Sequence, residues 1–326
     1  MPTSTVRAWL RLARPGDWAK NVFVLLALVF WLPNNIHAEQ GVLWSALVAV
    51  AIAFAAFCLA ASGTYMVNDA LDAASDRRHP VKRSRPVASG AIAPTTAFTV
   101  GIVAIAGGIA LGFVASRGAG ACLVVYGLLQ ILYNLGLKRV VVVDVATIAT
   151  GFSLRAACGA LALGVQVSAW LIACVFALTL YLGFIKRLCD LTSARLAGAT
   201  DWKSRAGYDN PLELNWLLGV SGTFSVLMYL MYALSTHAQQ IFGVRAFGFA
   251  LLTPLVLVVV HRFYRRANEG LSDSPLEALL EDRIAGISIG LFIVGVLATL
   301  YVPGVAALLG DLFLIDPTLA KAQAAR

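Results

Sequence analysis

Residues 43–76 read LWSALVAVAIAFAAFCLAASGTYMVNDALDAASD, and the reading of the whole chain turns on where this run changes character. The stretch 43–67 is almost wholly apolar, and a helix needs roughly 20 such residues to cross a bilayer. It runs into Asn68-Asp69-Ala70-Leu71-Asp72-Ala73-Ala74-Ser75-Asp76, with Arg77, Arg78, Lys82, Arg83 and Arg85 directly behind. Continued as a helix, positions 69, 72 and 76 fall at i, i+3 and i+7, within about 60° of one another. Like charges on one face repel, and a helix C-terminus, itself partly negative, is the worst place for them. Something positive must offset that cost. Either the neighbouring arginines pair with the acids on a solvated interfacial loop, or a divalent cation holds a pyrophosphate there. Mg²⁺ suits the second reading, because it takes a few carboxylates and shares its other positions with phosphate oxygens and water.

Outward from that stretch, the chain of 326 residues is 60% hydrophobic and only 13% charged, with a mean hydropathy of +0.81. Nine segments are long and apolar enough to span: 21–36, 43–67, 93–115, 119–137, 141–163, 167–186, 213–235, 243–263 and 284–309. The expected fold class is therefore all-α, a polytopic membrane protein of nine transmembrane helices. It is expected to form one domain over 1–326, with an amphipathic arm at 1–20 and a short extracytoplasmic tail at 310–326. Of the 25 basic residues, 20 fall on one side of that alternation. The excess of Lys and Arg in short loops marks the cytoplasmic side. The expected location is the cytoplasmic (inner) membrane, with the N-terminus inside and the C-terminus outside. The net charge of +8 is then topological, and no soluble basic domain is present to bind nucleic acid. The cysteines at 58, 122, 158, 174 and 189 show no paired spacing and read as small packing residues.

Other polar groups cluster at the same interface. Lys82-Arg83-Ser84-Arg85 offers phosphate donors, and also satisfies the positive-inside rule by itself. Lys186 and Asp190 are four apart on one helix face with Arg187 beside them; they are either a snorkelling helix end or a second phosphate clamp. Tyr133 and Lys138 precede Asp144, which reads as solvated or as a cap of its helix. Arg155 is deeper, and an ionisable group within a span is a functional candidate whose partner is either structural or a ligand. Lys20 stands at the start of the first span. Gly107, Gly108 and Gly112 permit close helix contact within the chain, or between chains of a homo-oligomer.

Together these features resemble the UbiA superfamily of intramembrane prenyltransferases. The matching elements are nine helices, Asn68-Asp-x-x-Asp-x-x-x-Asp76 after the second, and Arg14-Pro15…Lys20-Asn21 before the first. The resemblance implies a helical bundle with a cytoplasmic-side active-site cavity. It also implies that Asn68, Asp69, Asp72 and Asp76 bind Mg²⁺ and pyrophosphate. Aromatic prenyltransferases of that superfamily carry a second acid pair after the sixth helix; here the positions flanking Asp190 are Lys186 and Ala194. Lys82-Arg83-x-Arg85, Tyr133-x-x-Gly136-Leu137-Lys138, Leu154-Arg155-Ala156, Lys186-Arg187-x-x-Asp190 and Arg205-x-x-Tyr208 instead look like the decaprenyl-phosphate phosphoribosyltransferase branch.

That branch moves 5-phosphoribose from phosphoribosyl pyrophosphate to a polyprenyl phosphate, for a lipid-linked arabinose precursor of the cell wall. Physical reasoning favours it as well. Both substrates are anionic, so cations at Lys186 and Arg187 suit them better than a second acid pair. The expected roles are Asp69, Asp72, Asp76, Lys186 and Asp190 in catalysis. Lys20, Asn68, Lys82, Arg83, Arg85, Tyr133, Lys138, Arg155, Arg187, Arg205 and Tyr208 are expected to bind substrate. The rivals are an aromatic or tetrapyrrole prenyltransferase, and a membrane transporter. A transporter would place acids near the bilayer centre, whereas nearly all acids here lie at one interface.

Overall fold

The computed structural model describes residues 5–78, 82–196, 198, 206–271 and 281–313. Arg205, expected to bind substrate, lies outside the described residues, as does most of the expected C-terminal tail. Among the described residues the chain is helical without strands, and nine helical segments are long and apolar enough to cross a membrane. Two compact units emerge.

The first unit comprises residues 1–137 and 151–167. It holds α1 (Thr5–Ala13), a 3₁₀ stretch (Pro15–Leu25), α2 (Leu26–Asn35), α3 (Gln40–Leu71), α4 (Ala73–Arg78), α5 (Pro94–Ala115) and α6 (Arg117–Leu135). It also takes the larger part of α7 (Val143–Ala162). The amphipathic pattern at the N-terminus forms α1, which buries Ala8 and Leu12 with Met66, Val87 and Ile92. Pro94 starts α5, where its missing N–H costs nothing. Ser116 caps α6 by accepting a hydrogen bond from the Ala119 N–H.

Small residues bring α3 and α5 together backbone to backbone. A Cβ on Gly63 would lie 2.5 Å from the Gly101 carbonyl oxygen, and one on Gly108 would lie 2.8 Å from that of Ala56. Gly112 faces Leu123 and Gly120 of α6. Two of the three glycines read as contact positions thus serve tight packing within the chain. The core beside them holds Val50, Phe57, Leu123, Tyr126 and Cys158.

The second unit comprises residues 138–150 and 168–326. Its helices are the start of α7, α8 (Ala169–Leu196), α9 (Pro211–Leu234), α10 (Thr236–Phe242), α11 (Arg245–Leu251), α12 (Thr253–Glu269), and the segments Arg283–Tyr301 and Pro303–Phe313. Tyr181, Phe184, Leu188, Tyr208, Leu214, Leu218 and Phe263 form its core. The eighth expected span is interrupted between α11 and α12, just before Pro254, and the ninth is interrupted before Pro303. Proline removes the N–H that would continue each ladder. All five cysteines are free; four are buried and Cys174 is half-buried within α8.

Candidate active site

The first constellation lies in the first unit, where α3 ends. The sequence suggests one unbroken helical face, but the helix stops at Leu71 and Asp72 caps it at φ −87°, ψ 0°. The Asp72 N–H donates to the Asn68 carbonyl (2.9 Å), and the Asp72 carbonyl accepts from Asp76 N–H (2.9 Å) and Ser75 N–H (3.0 Å). The chain turns there and resumes as α4. That turn separates Asp72, which is half-buried, from Asp69 and Asp76, which are 3% and 2% exposed.

Asp69 and Asp76 converge on one guanidinium. Arg85 Nη1 donates to Asp76 Oδ2 at 2.8 Å and to Asp69 Oδ1 at 3.2 Å, while Arg14 Nη2 donates to the same Asp69 Oδ1 at 2.7 Å. Arg14 itself stacks over Tyr65, 4.7 Å from the ring centroid. Asn68 is bonded to Asn134 of α6. Lys82 is half-buried at the start of a 3₁₀ turn, and Arg83 is exposed. Lys20 is exposed and pairs with Asp17 at 2.5 Å. Tyr133 is half-buried near the end of α6.

Arg155 is enclosed by its own unit. Its Nε donates to Asn21 Oδ1 (2.7 Å), Nη1 to the Gly151 carbonyl (2.8 Å) and Nη2 to the Tyr126 hydroxyl (3.4 Å). The rings of Phe57, Tyr126 and Phe152 stand within 5.3 Å of its guanidinium carbon. This intramembrane charge has found a structural setting: it ties α7 to the 3₁₀ stretch that begins the first span.

The second constellation lies in the second unit. Asp144, read from the sequence as solvated or a helix cap, is 1% exposed. It accepts from Arg187 at Oδ2 (Nη2 2.9 Å, Nε 3.1 Å) and from the Tyr208 hydroxyl at Oδ1 (2.8 Å). Its place in the first turn of α7 adds the favourable end of the helix dipole. The Tyr208 oxygen accepts in turn from the Val142 N–H at 2.7 Å. Burial, then the adjacent Asp144 carboxylate, push the Tyr208 hydroxyl pKa up, so it stays a proton donor. Asp190 lies 3.9 Å from both Lys186 Nζ and Arg187 Nη1. Lys186 is half-exposed, and Lys138 is buried.

Two residues central to these clusters, Arg14 and Asp144, are absent from the expected site residues. Their partners lie 55 and 43 residues away, a distance no local spacing reveals.

Among the described residues no group of three or more His, Cys, Asp and Glu side chains is gathered to hold a metal. Asn68, Asp69, Asp72 and Asp76 are thus not drawn into one ligand cluster. The donor set still fits Mg²⁺, an oxygen-preferring ion that binds through one or two carboxylates and completes its octahedron with phosphate and water. Asp69 and Asp76 are two such carboxylates, already aimed at a shared cation.

The profile of the UbiA prenyltransferase family matches residues 21–280. The chain is 31% identical over 287 residues to the decaprenyl-phosphate phosphoribosyltransferase of Corynebacterium glutamicum, covering 87% of this chain and 83% of that one. It is 30% identical over 284 residues to the enzyme of the same name from Mycobacterium tuberculosis, covering 87% and 91%. Among solved structures, a digeranylgeranylglyceryl phosphate synthase superposes with a TM-score of 0.62 at 15% identity, covering 93% of this chain and 99% of that one. A UbiA homologue from Archaeoglobus fulgidus, bound to GPP and Mg²⁺, superposes with a TM-score of 0.61 at 18% identity, covering 90% and 99%. The helical architecture, the motif at the end of α3 and these matches over most of the chain agree: the protein belongs to the UbiA prenyltransferase family.

Proposed function

We propose that the chain transfers 5-phosphoribose from phosphoribosyl pyrophosphate to a decaprenyl-like polyprenyl phosphate, releasing pyrophosphate, in a Mg²⁺-dependent reaction. The observation that carries this reading is the second constellation. Arg187 is held by the buried Asp144, which Tyr208 also engages, with Lys186 alongside, where aromatic prenyltransferases need a second acid pair. Its relatives' names point to the same reaction.

In this reading Asp69, Asp72 and Asp76, with Asn68, are the groups that would hold Mg²⁺, which when bound would supply charge neutralisation for the pyrophosphate leaving group. Lys82, Arg83 and Arg85 bind donor phosphate oxygens. Lys186 and Arg187 clamp the 5-phosphate or the lipid phosphate, and Asp190 orients them. Lys20, Tyr133 and Lys138 are auxiliary contacts. Arg155 is assigned to the protein interior rather than to substrate. The bond from ribose C1 to pyrophosphate breaks as a lipid phosphate oxygen attacks from the opposite face, which inverts C1. Because the acceptor is already an anion, no general base is needed, and positioning with charge stabilisation carries the rate.

The chain acts as one catalytic domain in the cytoplasmic membrane, N-terminus inside, and supplies a lipid-linked arabinose precursor. Purified protein should form a lipid-extractable product from radiolabelled phosphoribosyl pyrophosphate and polyprenyl phosphate with Mg²⁺, and none with EDTA. Turnover of a prenyl pyrophosphate with an aromatic acceptor instead would discard the phosphoribosyl reading.

A further inference from the structure

Arg14 sits in a left-handed conformation, φ 52° and ψ 59°, immediately after α1. Glycine is the usual occupant of that position, because a Cβ there is strained. Keeping an arginine implies that the side chain is used. Its surroundings say for what. The Ser62 hydroxyl donates to the Ala13 carbonyl (2.8 Å) and accepts from the Trp18 indole Nε1 (3.0 Å), tying the Ala13 backbone and the Trp18 side chain to α3. Tyr65 supports the guanidinium from one face. What remains is aimed at Asp69 Oδ1, the atom that Arg85 also contacts.

We infer that Arg14 and Arg85 form a counter-ion lock on Asp69 and Asp76: they occupy the acids when pyrophosphate is absent, exclude a bare divalent cation, and swing onto pyrophosphate oxygens when metal and pyrophosphate arrive together. The inference rests on reading these acids as the metal–pyrophosphate site.

The physical argument is charge balance. A Mg²⁺ bound to Asp69 Oδ1 would stand about 2.1 Å from that oxygen, against two guanidiniums already at 2.7 and 3.2 Å. In this poorly solvated site, where both carboxylates are nearly inaccessible, such repulsion is weakly screened. Bare metal therefore has to displace both partly exposed arginines, leaving only water in place of their charge-assisted bonds to the carboxylates. Pyrophosphate changes this. Its oxygens are the acceptors that planar, forked guanidiniums match best, so the cations trade partners and no charge is left unpaired. Arg14 is thereby a positioning residue for the acid cluster and a pyrophosphate contact once the exchange has happened.

The test is Mn²⁺ binding to purified protein, followed by electron paramagnetic resonance with and without inorganic pyrophosphate. Pyrophosphate carries neither ribose nor a prenyl chain, so the result does not depend on which donor the enzyme uses; a failed ribose-transfer assay leaves it standing. Protein-bound Mn²⁺ in the wild type should be weak alone and at least about tenfold tighter with pyrophosphate, the size of one charge-assisted hydrogen bond. Arg14→Gln and Arg85→Gln should each tighten bare Mn²⁺ and shrink the pyrophosphate effect. Two variants are specified so that misfolding of one leaves the other to report. Equal Mn²⁺ affinity with and without pyrophosphate in the wild type overturns the lock, as does unchanged bare-metal affinity in the folded variants.

Discussion

Val142 is a β-branched residue at φ 67°, a conformation costing about 1–2 kcal/mol. It is held there because its N–H meets the Tyr208 oxygen, whose proton goes to Asp144. Tyr208→Phe would strip one donor from a buried carboxylate and leave the Val142 N–H without its partner. The cost should be about 2–4 kcal/mol, seen as a lower melting temperature in detergent. Val142→Gly removes the strain while keeping the N–H, and should not lower it. Arg187 and Tyr208 of this cluster were legible in the sequence as site residues, but their shared partner was not. Asp144 near a helix start looks the same whether solvated or buried; only the return of the chain after α8 supplies the tyrosine that decides it. Arg155 was legible as a charge inside a span, but Asn21, Phe57 and Tyr126, which enclose it together with Phe152 of its own helix, come from distant segments.

At the scale of elements, hydrophobic periodicity locates helices but does not say where they bend. The pattern through Asp69, Asp72 and Asp76 is compatible with an uninterrupted helix, whereas the structure ends α3 at Leu71 and resumes as α4 at Ala73. Close helix contacts make sharper tests. A Cβ on Gly159 of α7 would lie 1.9 Å from the Val24 carbonyl oxygen, and backbone there has little room to move. Gly159→Ala should destabilise by about 3 kcal/mol, read by thermal unfolding.

The final long helix begins at Asp282, which accepts from the N–H groups of Ile284 and Ala285 and pairs with Arg262 at 2.8 Å. Burial works to raise its carboxyl pKa, but Arg262 and the two amides prevail and hold it below the usual carboxylate range. A depressed pKa contributes stability above the unfolded value and loses it as pH falls through the folded one. Asp282→Asn should therefore lower the melting temperature at pH 7, with the deficit narrowing below about pH 4. A constant deficit across that range would assign the effect to packing instead.

For the whole molecule, the nine spans were legible because a bilayer imposes a length and an apolarity on every crossing. The helical architecture followed from that constraint. What the spans cannot encode is which side chains meet: the acids with Arg85, and Arg187 with Tyr208, were legible as site residues, but Arg14 and Asp144 joined them only in three dimensions. The distribution of basic residues remains a directional statement that can be checked on the intact protein. The interior placement of the thiols provides the means. With Cys58, Cys122, Cys158 and Cys189 buried and Cys174 within α8, the native chain should be nearly silent toward a membrane-impermeant maleimide. Any thiol added at an exposed position between two spans then becomes the sole reporter, without a cysteine-free background being built first. Ser89→Cys should label only in inverted vesicles and Gln240→Cys only in right-side-out ones, and the reverse pattern would turn the protein over in its membrane.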